Sequence, residues 1–136
     1  MAETPNYEKQ AEDEIKEYTP IDINSELWYR VHYIENLIPT TEQKFIDGDY
    51  RSVTILFQAI RAFAILVQRY ARNEERLKPL AEKTRIATTR LVKSARQGKT
   101  KAAEVLLDLS ISLFHDYVDI MEEAQKFEKR RTRVRL

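Results

Sequence analysis

The chain has 136 residues, a formal net charge of +1, two glycines, four prolines and no cysteine. This length fits one domain with its own core, and the lack of cysteine excludes disulfides, thiolate metal sites and a cysteine nucleophile. So few helix breakers predict an all-α fold, a helical bundle of four to five helices. Abundant Arg, Lys and Glu are compatible with a thermophilic source.

The small net charge hides a strong segregation of charge along the chain. Residues 1–50 carry a net charge of −8, residues 51–101 of +10, and residues 102–136 of −1. Such a distribution is typical of a protein that binds a polyanion, of one whose subunits contact each other head to tail, or of both.

Residues 1–22 are acidic and polar, contain two prolines and show no apolar periodicity. They predict a polar N-terminal arm in front of a single helical domain at residues 23–136. The arm lacks the basic start and the apolar run of a signal peptide, so we expect a cytoplasmic protein.

A first helix is indicated by an apolar stripe at helical spacing, with a cap at Asn24 or Ser25. We expect Pro39 to end this helix and a short helical piece to follow as far as Gly48, a residue suited to a helix C-terminus. The helix also carries three large aromatic residues, Trp28, Tyr29 and Tyr33. These side chains are expected in the core or, alternatively, in a contact with another subunit, where Trp and Tyr are enriched.

Residues 53–72 are the most apolar stretch, with fourteen apolar or aromatic residues out of twenty. A helix that is apolar over most of its circumference is normally buried, so this stretch predicts the central helix of the bundle. We expect it to have a cap at Asp49, to continue to about Leu77, and to be too short and too interrupted to span a bilayer.

Pro79 suits the first turn of the next helix, which is predicted to continue to about Gln97 and to close at Gly98. Its apolar positions are small or sparse and its cations are many, so we expect it to pack on one side and to present cations on the other. Thr100 is expected to cap a last helix at about residues 101–131, whose apolar face is wide enough for two neighbours.

The basic stretch at residues 69–101 is the strongest candidate for a functional site. Its cations recur near helical spacing, which predicts sequence-independent contact with a phosphate backbone. The primary candidates are Lys83, Arg90, Lys93 and Arg96. Secondary candidates are Arg76, Arg85, Lys99, Lys101 and, in a basic tail that begins near residue 129, Arg130, Arg131 and Arg133. The alternatives are a solvated face or pairing with the acidic arm of a neighbouring subunit.

Neither histidine lies in a metal-binding or catalytic motif. His32 is expected to be partly buried beside the first apolar stripe, and His115 to lie on a solvated polar face. The chain has no phosphate-binding loop, nucleophile elbow or carboxylate pair. We therefore expect no enzyme activity, no metal, no cofactor and no small-molecule substrate.

Two segments resemble a known family. Residues 77–90, LKPLAEKTRIATTR, are similar to the Leu-Lys-Pro and Ala-x-x-Arg segment of the small helical subunits of type III CRISPR effector complexes. Residues 114–130, FHDYVDIMEEAQKFEKR, are similar to the Phe-x-x-Tyr and Glu-Ala pattern of their closing helix, and residues 58–61, QAIR, to a Gln-x-x-Arg element. The resemblance covers about residues 52–130. It implies a non-enzymatic subunit that stacks in several copies along a guide–target duplex, with its basic helix facing the nucleic acid.

A polar arm followed by a helical bundle is also similar in architecture to the coat proteins of filamentous archaeal viruses, which wrap DNA. That resemblance implies a virion protein. Because the arm here is acidic, DNA contact would have to come from residues 69–101 and the tail. The partners expected are therefore RNA or DNA together with copies of the chain or other protein subunits. A protein–protein adaptor or homo-oligomer without nucleic acid is the remaining alternative.

Overall fold

The computed structural model describes the backbone of residues 22–134 and the side chains of residues 23–128. Within these residues the chain forms helices and no strand, which confirms the predicted all-α bundle of four to five helices. The helices are α1 (Asp22–Ile46), α2 (Arg51–Tyr70), α3 (Leu77–Arg90), α4 (Val92–Arg96) and α5 (Thr100–Val134). The predicted arm lies outside the described residues, except for Asp22, which begins α1.

The central helix of the bundle is α2, as predicted. Its buried residues cover most of its circumference and include Val53, Phe57, Phe63 and Val67. It packs against α1 and α5 and also touches the short α4. By length and composition α2 could cross a membrane, so the expectation that it is too short was wrong. In this structure, however, 67% of the apolar stretch is buried inside the bundle.

The first helix continues through Pro39 to Ile46, so the prediction that Pro39 ends it was wrong. A proline inside a helix costs about 3 kcal/mol, because it removes a hydrogen bond and crowds the preceding turn. The part of the helix beyond the proline is packed against the bundle. Thr41 is buried and donates its hydroxyl to the Leu37 carbonyl at 2.8 Å, and the Phe45 ring lies 5.2 Å from that of Tyr50.

Glycine ends α1 and α4 as predicted. At Gly48, where φ is 91°, the amide donates to the Phe45 carbonyl at 3.0 Å, and the amide of Asp49 donates to the Lys44 carbonyl at 2.8 Å. This pair of bonds satisfies the last carbonyls of a helix and requires a left-handed residue, which glycine adopts without strain. The same arrangement, with φ of 82°, occurs at Gly98.

Several predicted boundaries of the middle helices were wrong. α2 begins at Arg51, without a cap from Asp49, and ends at Tyr70 instead of about Leu77. The six residues that follow are polar apart from one alanine, so extending α2 through them would bury nothing. The turn instead returns the chain to the core at Leu77 and Leu80, each 6% exposed.

The single helix predicted after Pro79 is two helices, α3 and α4, separated at Leu91. Pro79 does lie in the first turn of α3. α3 packs against α4 and α5 and has little contact with α2. α3 therefore rests on α4 and α5, whereas α4 also touches the central helix α2.

The last helix begins at Thr100 itself. Its 35 residues correspond to a helix about 52 Å long, whereas the 20 residues of α2 correspond to about 30 Å. Near its end, the Gln125 amide donates to the Asn24 side chain at 3.3 Å, and Glu128 accepts from the Tyr70 hydroxyl at 2.6 Å. α5 therefore continues past the point where α1 begins and α2 ends.

Candidate nucleic-acid interface

Six cations lie on the exposed surface of α3, α4 and the start of α5. The buried residues of α3 include Leu80 and Ala87, seven positions apart, and those of α4 are Val92 and Ala95. The cations between and after these buried positions are exposed. We call this group the cationic surface: Lys83, Arg90, Lys93, Arg96, Lys99 and Lys101.

No acid lies between the cations of the cationic surface in the chain. Residues 83–103 contain seven lysines and arginines and no Asp or Glu. Among the side chains of residues 23–128, none forms an ion pair with Lys83, Arg90 or Lys93. Lys83 and Arg90 are seven positions apart on α3, about 10 Å along the helix, so both can face the phosphates of one strand.

Two secondary candidates are already engaged by carboxylates. Arg76 binds Glu74 through Nε at 2.9 Å and Glu123 through Nη2 at 2.6 Å. Arg85 Nε donates to Glu82 at 3.0 Å. Hydrogen bonds from Arg76 lower the pKa of both Glu74 and Glu123 below the ordinary value of a glutamate, so phosphate would have to displace these partners.

The pairing of Arg85 has the same effect on its partner. The hydrogen bond from Arg85 lowers the pKa of Glu82, and the positive charge acts in the same direction. Both side chains are more than half exposed, so the pair stabilises the fold little. Arg85 is nevertheless left out of the cationic surface, because the carboxylate of Glu82 neutralises its charge.

The basic tail lies at the other end of α5. The backbone of Arg130, Arg131 and Arg133 belongs to α5, while their side chains lie outside the described residues. From Lys101 to Arg130 the helix extends about 45 Å. The structure therefore does not bring the tail together with Lys99 and Lys101, and a phosphate backbone would contact them separately.

The three aromatic residues of α1 lie on its surface. Tyr29 is 67% exposed, and Trp28 and Tyr33 are 36% and 37% exposed, so the expectation of core packing was wrong. His32, predicted to be partly buried, is exposed as well; its Nδ1 lies 4.0 Å from Glu35, and its ring lies 6.1 Å from that of Trp28. These residues form one exposed aromatic face.

His115 is exposed, as predicted, and its ring lies 5.6 Å from that of Phe114. Among residues 23–128, no three His, Cys, Asp or Glu side chains are grouped so that they could hold a metal ion.

Sequence reasoning missed two features. Glu26 and Arg30 form an ion pair at 2.9 Å with side chains only 9% and 11% exposed; their four-residue spacing beside the apolar stripe was an available signal. A groove of about 730 Å³ lies between the end of α2 and the C-terminal part of α5. It depends on contacts such as that of Tyr70 with Glu128, which are 58 positions apart and leave no local pattern.

No family model, curated protein or solved structure matches the chain. The structure therefore defines the class of fold: an all-α bundle with an exposed cationic surface on α3, α4 and the start of α5. The resemblances to type III CRISPR small subunits and to filamentous virus coat proteins rest on sequence segments and architecture alone.

Proposed function

We propose that the protein is a non-enzymatic subunit of a nucleic-acid-containing assembly and that its cationic surface contacts the phosphate backbone without reading the bases. The observation that carries this proposal is the run of residues 83–103, whose seven cations have no acid among them and whose principal members are exposed. Like charges brought together on one surface repel each other, and phosphates relieve this repulsion while releasing their own counterions.

The proposed contact is non-specific because the surface offers little for base recognition. Within residues 83–101 there is no aromatic side chain that could stack on a base. Ammonium and guanidinium groups on a helix surface bind phosphate oxygens of RNA and DNA alike. On the sequence resemblance of residues 52–130, we propose that the assembly is a CRISPR ribonucleoprotein effector complex, with the protein as its small subunit in the cytoplasm. The alternative is the coat of a filamentous archaeal virus, with DNA in a virion.

A second candidate function is a protein–protein adaptor or homo-oligomer. It is favoured by the exposed aromatic face of α1, where Tyr29 is 67% exposed and adjoins Trp28 and Tyr33. Exposed Trp and Tyr are typical of contact surfaces between proteins. Both functions can coexist, because this face is on α1 whereas the cationic surface is on α3, α4 and the start of α5.

Salt dependence of binding tests the phosphate contact. If the surface neutralises about four phosphates, affinity for duplex DNA falls about 150-fold between 50 and 200 mM salt, and that for a single strand about 50-fold. Fluorescence anisotropy with labelled duplex and single-stranded oligonucleotides, both RNA and DNA, measures this change. Absence of binding at 50 mM salt, or binding that is insensitive to salt, would refute the proposal.

Charge reversal tests the location of the contact. The variant Lys83→Glu, Arg90→Glu, Lys93→Glu should abolish binding at 50 mM salt while the helical circular dichroism stays unchanged, because all three side chains are exposed. The matched control reverses three other exposed cations, Lys44, Arg72 and Lys126. It has the same net charge, so an equal loss of affinity in both variants would mean that total charge, not this surface, binds nucleic acid.

A further inference from the structure

Most of the large apolar side chains that the bundle leaves exposed are on one helix. Among residues 23–128 there are seven of them, and four belong to α1: Trp28, Tyr29, Tyr33 and Ile46. Of the other three, one is on α3 and two are far apart on α5. Apolar side chains that are exposed singly are normal on a protein surface, whereas a group of them marks a surface that another molecule covers. The candidate surface is therefore on α1.

The middle of the exposed side of α1 carries no Asp, Glu, Lys or Arg. At 3.6 residues per turn, eight exposed positions fall on one strip about 100° wide along the helix. We call it the α1 strip: Ser25, Trp28, Tyr29, His32, Asn36, Pro39, Gln43 and Ile46. Glu35 and Glu42 border the strip on one side, and Tyr33 and Lys44 border it on the other. Such a composition is typical of the centre of a protein–protein interface, where aromatic residues are enriched and charged residues are depleted.

The other exposed surfaces of the described residues are charged. α3, α4 and the start of α5 form the cationic surface, and the exposed side of α5 carries Glu104, Asp108 and Asp119. A charge placed opposite the α1 strip would lose its water without gaining a partner, which costs free energy. The surface of this chain that matches the strip is therefore the same strip of a second copy.

The exposed area is large enough for a weak dimer. At about 200 Å² for each aromatic side chain, the exposed fractions of Trp28, Tyr29 and Tyr33 correspond to about 280 Å². A contact between two copies hides this area twice, about 560 Å², which is nearly half of the roughly 1,200 Å² that a specific interface needs. The remaining side chains of the α1 strip lie beside these three along the helix and supply further area on both copies.

We propose that two copies of the chain pair through their α1 strips about a two-fold axis. Each copy then contributes the same surface, so the contact is closed and association stops at the dimer. This inference rests on the second candidate function and names its partner. It does not involve the cationic surface, which lies on other helices, and its test contains no nucleic acid.

The single tryptophan of the chain, Trp28, makes the contact directly measurable. Its fluorescence should shift to shorter wavelength, and its quenching by acrylamide should weaken, as the protein concentration rises from about 1 μM to about 100 μM, the range expected of a small interface. Sedimentation equilibrium of the full chain should show a monomer and a dimer with the same midpoint. Association should persist in about 1 M salt, which screens contacts between charged surfaces but not an uncharged one.

Three results would overturn the inference. A protein that stays monomeric over this range does not bind a second copy through the strip, and the second candidate function would then require a partner of another kind. A dimer in which the emission of Trp28 does not change has its contact elsewhere. A dimer that dissociates in high salt, or an assembly larger than a dimer, would assign the contact to the charged surfaces. Nucleic-acid binding is measured separately, so the failure of either proposal leaves the other standing.

A matched pair of variants tests the location of the contact. Tyr29→Lys puts a charge in the middle of the strip on both copies, so it should raise the dissociation constant of the dimer about 30-fold or more, the loss typical of a central interface residue. Phe127→Lys is the control, because Phe127 is also aromatic and is 66% exposed against 67% for Tyr29. Circular dichroism should show that both variants remain folded. Equal dissociation constants for the two variants would show that the contact is not on α1.

Discussion

The ion pair of Glu26 with Arg30 is the most stringent test of how the bundle is held together. The two groups meet at 2.9 Å with side chains 9% and 11% exposed, among the core residues Leu27, Val31 and Ile34 of the same helix. Burial lowers the pKa of Arg30, although not enough to discharge a guanidinium at neutral pH. The charge therefore stays in the core, next to the carboxylate of Glu26.

Replacing only Glu26 should lower the free energy of unfolding strongly. Glu26→Leu leaves the guanidinium of Arg30 buried without its carboxylate, and breaking such a pair costs about 3–5 kcal/mol. With a urea m-value of about 2 kcal/mol/M, the unfolding midpoint should fall by about 2 M. The double variant Glu26→Leu, Arg30→Met removes both charges and replaces them with apolar side chains, so it should unfold near the wild-type midpoint or above it.

Urea denaturation followed by circular dichroism at 222 nm measures these midpoints. The control is Glu82→Leu, which breaks an ion pair with Arg85 on α3 in which both side chains are more than half exposed. That change should cost below about 1 kcal/mol. The reasoning is refuted if Glu26→Leu costs no more than Glu82→Leu, or if the double variant is as unstable as the single one.

Two further predictions follow from the helix ends and from the surface ion pairs. Gly98→Ala should destabilise the protein by about 1 kcal/mol, because φ of 82° disfavours a side chain while nothing lies within 4 Å of the added Cβ. Gly98→Asn should cost less, since Asn tolerates this conformation, and thermal unfolding compares the two; equal losses would contradict the backbone explanation. Arg76→Gln should return the pKa of Glu74 and Glu123 to the ordinary range in a carboxyl titration by NMR, whereas Arg72→Gln should leave them lowered. Because their folded-state pKa is lowered, the contribution of these carboxylates to stability is present above about pH 4.5 and is lost as the pH falls through the lowered pKa. Arg76→Gln should therefore flatten the loss of stability over this acid range.

Much of the fold followed from local patterns in the chain. Val53 to Val67 are buried because apolar residues recur around the whole circumference of α2, which only a central helix can accommodate. Gly48 and Gly98 end helices because their left-handed conformation is accessible to glycine at no cost. Exposure of Lys83, Arg90 and Lys93 likewise followed from the spacing of Leu80 and Ala87.

Other features were decided by contacts between distant residues. Pro39 should end a helix by its local chemistry, yet the helix continues to the buried Thr41 and to Phe45, whose ring lies beside that of Tyr50. Arg76 looked available to phosphate until the fold placed Glu123, 47 positions away, 2.6 Å from its guanidinium. Tyr29 belongs by composition to a core, but the bundle leaves its side of α1 uncovered.

The sequence by itself therefore determined the class of fold, the central helix, two helix ends and the segment that carries the cations, because each of these depends on residues within one or two helical turns. The tertiary structure decided which cations are neutralised, which aromatic residues are exposed and where the groove between the end of α2 and the C-terminal part of α5 lies. Those properties depend on which helix faces meet, and an apolar face wide enough for several neighbours does not specify its partner. For the same reason the 35 residues of α5 indicated a helix, but only its hydrogen bonds to Asn24 and Tyr70 showed where it leaves the bundle.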